Sequence, residues 1–437
     1  MSDTIFALSS GQGRAGVAVV RLSGPAVRET FRSFGGRIPP ERRATLLSLR
    51  DPDGGDLIDK GLCLYFQGPR SFTGEDMGEF QVHGGRAVLA RLLDALTNSK
   101  GLRPAEAGEF TKRAFLAGKR DLVEVEALAD VISAETRGQL KLAQRLASGG
   151  LSDRVGRWRK ELVSTMSLVE AAIDFSDEAD VTTDPSVDVA PRVRRVLGEI
   201  EEVLDDGGRG ERLREGVTVA IAGPPNAGKS TLLNLLARRE AAIVSPFAGT
   251  TRDVIEVHLD IGDVPVTLVD MAGLREGGDV IEAIGVTRAQ ERIAKSDLVL
   301  WLEPVTESGK APPPSGANIL RLNTKADLAC ASSTSDALSI SAVTGAGLTE
   351  LHDCLISHVR ELAGMDESVL ITRARQRTAL RNCAEALEGL SSQNGAVAIE
   401  LQAEHLRGAL RALGRLVGSV DVEEVLGEIF ASFCIGK

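Results

Sequence analysis

A chain of 437 residues has room for about three domains, each able to bury its own core. Its 43% hydrophobic and 26% charged content is that of a water-soluble globular protein, and no apolar run reaches the length of a membrane span, which excludes an integral membrane class. A net charge of −11 with only 3% aromatics argues against a chain that grips nucleic acid by bulk electrostatics or base stacking.

The five cysteines, at 63, 330, 354, 383 and 434, are scattered and form no C-x-x-C pair, and the five histidines are equally dispersed. A disulfide scaffold and a histidine or zinc centre are therefore not expected, and a reducing, cytoplasmic setting is. Met1-Ser2-Asp3-Thr4 lacks the basic start of a secretory signal.

Short β-like runs at 16–22, 62–66 and 78–82, broken by glycines, predict a compact α+β domain over 1–118. Helical spacing begins at Asp121, with Leu122, Val125, Leu128 and Ile132 on one face, and Gly149-Gly150 closes that region. Residues 151–174 read as another helix. Pro191 opens a further one, which ends at Asp205-Asp206-Gly207-Gly208-Arg209-Gly210, a predicted linker. Residues 211–365 then alternate strand and helix, with strand-like runs at 217–222, 254–261, 264–270, 298–302, 319–322 and 338–341.

Helical periodicity returns from Ile371 to the end. The simplest architecture is a multidomain one: an α/β domain inserted into a helical domain whose halves are 119–210 and 366–437, behind an N-terminal α+β domain. Arg373, Arg377 and Arg381 recur every four residues, as do Arg407, Arg411 and Arg415, so each set lines one helical face. Such faces are either solvated or contacts for nucleic acid.

Gly223-Pro224-Pro225-Asn226-Ala227-Gly228-Lys229-Ser230 fits G-x-x-x-x-G-K-[ST] between an apolar strand-like run and the helix-like Thr231-Leu232-Leu233-Asn234. That context is what a phosphate loop needs: a strand, a glycine-rich turn and a helix N-terminus whose free N–H groups face phosphate. Lys229 is placed to neutralise β- and γ-phosphates and the Ser230 hydroxyl to bind Mg²⁺.

Further motifs follow in the order that a guanine-nucleotide switch domain needs. Ala248-Gly249-Thr250-Thr251-Arg252-Asp253 offers hydroxyls for the Mg²⁺ shell. Asp270-Met271-Ala272-Gly273 supplies a carboxylate for Mg²⁺ through water and a Gly N–H for the γ-phosphate. In Thr324-Lys325-Ala326-Asp327 the carboxylate can accept both N1–H and the 2-amino group of guanine, which adenine cannot offer. Ser341-Ala342 ends a strand where backbone N–H groups can reach the base. The ordered set reads as GTP binding. Leu274 is apolar and cannot orient the attacking water, so Arg275, Glu276 and Glu282 are the candidates for that work.

With these residues in place, the chain closely resembles the MnmE family of tRNA modification GTPases over nearly its whole length. Gly249-Thr250-Thr251-Arg252-Asp253 and Asp270-Met271-Ala272-Gly273-Leu274-Arg275-Glu276 match its switch regions, with Met271 where the family usually has Thr. The N-terminal strings also match: Gly16-Val17, Arg21-Leu22-Ser23-Gly24-Pro25, Ser71-Phe72-Thr73-Gly74-Glu75-Asp76 and His83-Gly84-Gly85. So do Gly108-Glu109-Phe110-Thr111-Lys112-Arg113-Ala114-Phe115, Lys119-Arg120-Asp121-Leu122 and the terminal Phe433-Cys434-Ile435-Gly436-Lys437. Thr324 replaces the family's Asn, which keeps a hydroxyl but loses reach. Pro312-Pro313-Pro314 cannot continue the helix this fold usually carries there.

The resemblance implies a cytoplasmic homodimer that binds a reduced folate (5-formyl- or 5,10-methylenetetrahydrofolate) between its N-terminal domains, through positions matching Arg21, Glu79, Lys119 and Lys437. It implies a GTP site drawn from Asn226, Ala227, Gly228, Lys229, Ser230, Thr231, Ser245, Thr250, Thr251, Asp270, Gly273, Thr324, Lys325, Asp327, Ser341 and Ala342. Mg²⁺ falls to Ser230 and Thr251. An activating K⁺, doing an arginine finger's work, falls to Asn226, Ser245, Phe247 and Thr250. Glu282 matches the water-orienting glutamate, beside Lys229, and Cys434 is either a catalytic thiol or a small structural hydrophobe.

The implied reaction couples GTP hydrolysis, after the G domains meet, to aminomethyl or carboxymethylaminomethyl addition at carbon 5 of the wobble uridine of certain tRNAs. An FAD-carrying partner of the MnmG (GidA) kind would join it in a heterotetramer or larger assembly. Two other classes compete: a ribosome-assembly regulatory GTPase, which has no need of the terminal strings, and a folate-dependent methyltransferase with a regulatory G domain.

Overall fold

The computed structural model describes residues 3–11, 13–174, 186–239, 256–271, 292–307, 318–328, 337–365, 369–391 and 398–420, then 426, 429–430, 433 and 436. They form two compact units, 1–129 with 417–437, and 130–416.

In the first unit the described elements are β1 (Thr4–Leu8), β2 (Ala15–Ser23), α1 (Val27–Gly35), β3 (Thr45–Arg50), β4 (Leu57–Phe66), β5 (Met77–Gly84), α2 (Arg86–Asn98), β6 (Leu102–Pro104) and α3 (Glu109–Leu116). The sheet runs β3-β4-β5-β2-β1-β6, antiparallel except for the β1–β6 pair. Alternation along β2 sends Val20 and Leu22 to one face, into a core with Phe31, Phe34, Phe80, Leu92 and Leu96. Phe31 meets Phe80 edge-on at 5.2 Å.

The opposite face carries a smaller core of Ile5, Ala7, Met77 and Phe110. Buried charge ties this face together. Arg113, 1% exposed, donates to Glu75 at 2.9 Å and to Asp3 and Glu109 at 3.0 Å each. Arg103 adds bonds to Asp3 and Glu109. The strings 71–76 and 108–115 are thus joined by ion pairs.

Helix α4 (Leu122–Ser133) begins in this unit, with Leu122 and Val125 buried against Leu426, Phe430 and Phe433. Ile132, expected on the same face, is 44% exposed, because the buried positions are 122, 123, 125, 126 and 127.

The second unit adds α5 (Arg137–Ala147), α6 (Ser152–Asp174), α7 (Ser186–Leu204), α8 (Arg209–Glu215), β7 (Val217–Ala222), α9 (Lys229–Arg239), β8 (Glu256–Ile261), β9 (Val264–Asp270), β10 (Leu298–Pro304), β11 (Ile319–Thr324), β12 (Leu338–Ser339), α10 (Leu348–Ala363), α11 (Ala374–Ser391) and α12 (Ile399–Val417). Its sheet order is β12-β11-β10-β7-β9-β8, parallel apart from β8. The chain is thus an α+β N-terminal part followed by a P-loop α/β domain set within helical segments, the class read from the sequence. Among the described residues no helix is long and apolar enough to cross a membrane.

Three local expectations change. Pro191 sits inside α7 and does not open it. The glycine-rich stretch 205–210 is not a free linker: Asp206 is buried and accepts from Arg377 at 2.6 Å, and Arg377 also binds Glu211 at 2.9 Å. Burial works against the Arg377 charge, but these carboxylates outweigh it and hold the pKa above its ordinary value. The Arg373/Arg377/Arg381 row is accordingly no open basic face, since Arg373 pairs with Asp130 at 2.7 Å.

Candidate active site

The parallel strands β7, β9, β10 and β11 end at one edge of the sheet, and the loops leaving that edge bring the sequence motifs together. The carboxyl ends of such strands are where α/β sheets bind ligands. The phosphate loop leaves β7 at Gly223. A Cβ there would lie 2.3 Å from the Leu302 carbonyl of β10, and φ is 146°, so only glycine turns the chain at this point. The loop closes at Lys229, the first residue of α9.

The groups expected around phosphate hold one another. Lys229 Nζ donates to the carbonyls of Gly223 at 3.1 Å and Pro224 at 2.9 Å. The Ser230 hydroxyl donates to Asp270 Oδ2 at 2.6 Å, uniting the first phosphate-loop hydroxyl with the carboxylate at the end of β9. A hydroxyl and a carboxylate this close are a donor set suited to a hard divalent cation such as Mg²⁺. Asn226 stands exposed at the loop crest with φ 60°, a left-handed conformation that Asn tolerates better than most residues. Ala227 is buried, and Thr231 is exposed in the first turn of α9.

The residues expected to read the base are held by bonds within the domain. Buried Thr324, at the end of β11, donates its hydroxyl to the Ala227 carbonyl at 2.8 Å. Its shorter side chain therefore does reach the phosphate loop and couples it to the base motif. Replacing Thr324 by Val is expected to weaken GTP binding by about tenfold, because the buried Ala227 carbonyl loses its donor, while Ser in its place restores binding. Titration with a fluorescent guanine nucleotide measures both. Lys325 takes φ 59°, a left-handed conformation just before Ala326 and Asp327.

Asp327 accepts the Ser341 hydroxyl at 2.5 Å. The Ser341 N–H donates to Ala346 O at 2.9 Å, and Ala342, the next residue, is exposed. Ser245, Phe247, Thr250, Thr251, Gly273, Leu274, Arg275, Glu276 and Glu282 lie outside the described residues, as do Cys434 and Lys437.

In the N-terminal unit, Arg21 and Glu79 face each other directly across β2 and β5, and the guanidinium makes 3.2 and 3.1 Å bonds to Glu79 Oε1. Both bonds fall on one oxygen, leaving Oε2 for another donor. Arg21 also lies 6.0 Å from the centre of the Phe110 ring. Lys119 follows α3 and runs its stem past Gly74, lining a cleft of about 540 Å³ with Phe115, Arg120, Asp121, Glu124 and Gly418. Gly436 O accepts the Ser9 hydroxyl at 2.8 Å, which anchors the chain end beside β1, the strand whose Ala7 pairs with Arg21.

Sequence reading missed the Arg113 cluster, although Glu75, Glu109 and Arg113 sit inside the strings 71–76 and 108–115. A charged residue on a helix reads as solvated until the carboxylates of distant segments are brought against it.

Residues 4–119 match the family described as "GTP-binding protein TrmE N-terminus", and residues 122–434 match "MnmE helical domain". The tRNA modification GTPase MnmE of Azorhizobium caulinodans is 52% identical over 441 residues, covering 100% of this chain and 99% of that protein. The tRNA modification GTPase MnmE of Beijerinckia indica subsp. indica is 51% identical over 436 residues, covering 100% and 96%. That of Rhodopseudomonas palustris is 48% identical over 440 residues, covering 100% and 99%.

Proposed function

The chain belongs to the MnmE family of tRNA modification GTPases, and on that premise we propose a K⁺-activated GTPase cycle that drives modification at carbon 5 of a wobble uridine. It is a GTP-hydrolysing enzyme that acts in tRNA modification. The finer reading rests above all on the interlocked set Lys229, Ser230–Asp270, Thr324–Ala227 and Asp327–Ser341.

In this reading Lys229 gives up two neutral carbonyl partners for charge-assisted bonds to phosphate, which are stronger. Ser230 and Thr251 would hold Mg²⁺, with Asp270 reaching it through water. The ion would supply positive charge against the phosphate oxygens. Asn226, with Ser245, Phe247 and Thr250, would hold the activating K⁺, and the exposed amide at the loop crest suits that role. Gly273 donates to the γ-phosphate, Glu282 orients the attacking water, and Asp327, pinned by Ser341, accepts from guanine. The Ala227, Gly228 and Thr231 amides surround the phosphates, and Ala342 reaches the base.

The same proposal takes 1–118 as a folate-binding and dimerising domain, 119–210 and 366–437 as the helical domain, and 211–365 as the G domain. Arg21 and Lys119, with Lys437, suit the folate glutamate tail. Glu79 Oε2 suits the pterin amino groups. Cys434 is held for the one-carbon chemistry, a cytoplasmic homodimer is the working form, and an FAD-dependent partner supplies the redox step.

Two measurements test this. Nucleosides of tRNA from a strain lacking the chain should show the wobble-uridine modification missing; normal modification sinks the reading. GTP turnover should be at least tenfold faster in K⁺ than in Na⁺, and Glu282→Ala should abolish that turnover without weakening nucleotide binding. Equal rates in the two salts would remove Asn226 from its role.

A further inference from the structure

The β8–β9 hairpin reaches from the nucleotide site to a helical segment outside the α/β sheet. At one end, β9 finishes at Asp270, which accepts the Ser230 hydroxyl. Seven residues back, roughly 20 Å along an extended strand, the two-residue turn Gly262-Asp263 takes φ 64° and 70°. The Asp263 carbonyl accepts the Gly138 N–H at 3.1 Å, in the first turn of α5. A Cβ on Gly138 would lie 2.4 Å from that carbonyl oxygen, so the approach requires glycine. The other side of the turn is held by α10, where Arg360 Nε donates to the Gly262 carbonyl at 2.9 Å.

The start of α5 is itself firmly built. Thr136 and Gln139 form a reciprocal capping box, and Gln139 Nε2 donates to the Arg214 carbonyl at 2.9 Å. Beside this contact lies a polar cleft of about 290 Å³ lined by Glu135, Gln139, Arg214, His258 and Thr267. The covalent crossings between the α/β sheet and the helical segments run side by side, since Arg212 Nε on α8 donates to Leu362 O near the end of α10 at 2.8 Å. The docked turn is a third contact, away from these two adjacent stretches of chain.

We infer that the Gly262-Asp263 turn, docked on the Gly138 amide, transmits the nucleotide state at Ser230 and Asp270 to the helical segment carrying α5, with Gly138 as the positioning residue. A paired hairpin is stiff along its length, so displacement at Asp270 is carried to the turn, and the open cleft gives α5 room to respond. The inference rests on the GTPase reading and adds a route from hydrolysis to the rest of the chain.

Hydrogen exchange of the full-length protein at the Gly138 amide tests it directly. Exchange should differ at least fivefold between GDP and a non-hydrolysable GTP analogue, and equal exchange overturns the inference. Gly138→Ala should keep GTP turnover within twofold of the parent while tRNA modification falls at least tenfold. Both activities kept, or both lost in parallel, count against the joint. If the parent itself leaves tRNA unmodified, the tRNA reading fails while the exchange comparison still decides this inference.

Discussion

Asp327→Asn is expected to lower GTP affinity by roughly 10²–10⁴-fold and to raise affinity for xanthosine triphosphate in return. On the proposed reading the carboxylate accepts two guanine protons, and bonds to a charged acceptor are worth about 1.5–3 kcal/mol each. An amide keeps one acceptor and turns the other into a donor, which meets the 2-amino group head-on but suits the 2-oxo group of xanthine. The Ser341 hydroxyl, 2.5 Å from Asp327, can turn to accept from the new amide, so the substitution needs no repacking. Competition of the two nucleotides for the full-length protein measures the exchange of preference. Unchanged GTP binding would take Asp327 out of base recognition.

Arg113→Met is expected to destabilise the N-terminal unit by about 3–5 kcal/mol. It removes the buried guanidinium shared by Asp3, Glu75 and Glu109, leaving Glu75 without its cation and Asp3 and Glu109 with Arg103 alone. Both tryptophans, Trp158 and Trp301, belong to the other unit, so their fluorescence is an internal control while hydrogen exchange over β1 and β2 reports the loss.

The same cluster sets a pH dependence. At Glu109 burial opposes the charge, but bonds from Arg103, the Glu106 amide and Arg113 prevail, and its pKa lies below the usual 4.5. Asp3 is lowered from 3.8, chiefly by its hydrogen bond from Arg103. Carboxyls lowered on folding contribute stability that is complete above the unfolded pKa and disappears as pH falls through the folded one. Protection of β1 and β2 should therefore drop below about pH 4.5, and Arg113→Met should flatten that dependence.

Much of the catalytic domain was legible because its signals are local. The runs 217–222 and 264–270 are β7 and β9 to the residue, since apolar stretches bounded by glycine and turn residues leave little choice of register. The phosphate loop declared itself through glycine spacing, and its ordered companions pointed to guanine. The helical segments were legible as helices, yet their buried faces were not: α4 buries Leu122 and Val123 but exposes Ile132, because neighbours from several directions override a single stripe.

Residue types and spacing were enough to read GTP binding and the strand ends that bear its motifs, and the resemblance of the longer strings pointed to the family. Partnerships across long separations waited for the folded chain. Thr324 reaches Ala227 although its motif departs from the usual Asn, Ser341 bonds Asp327 through its hydroxyl, and the glycine-rich stretch after α7 is clamped by Arg377. The physical reason is the same each time. A backbone pattern is written by neighbours a few residues apart, whereas a hydrogen bond or buried ion pair is chosen by whatever distant group packing brings within about 3 Å.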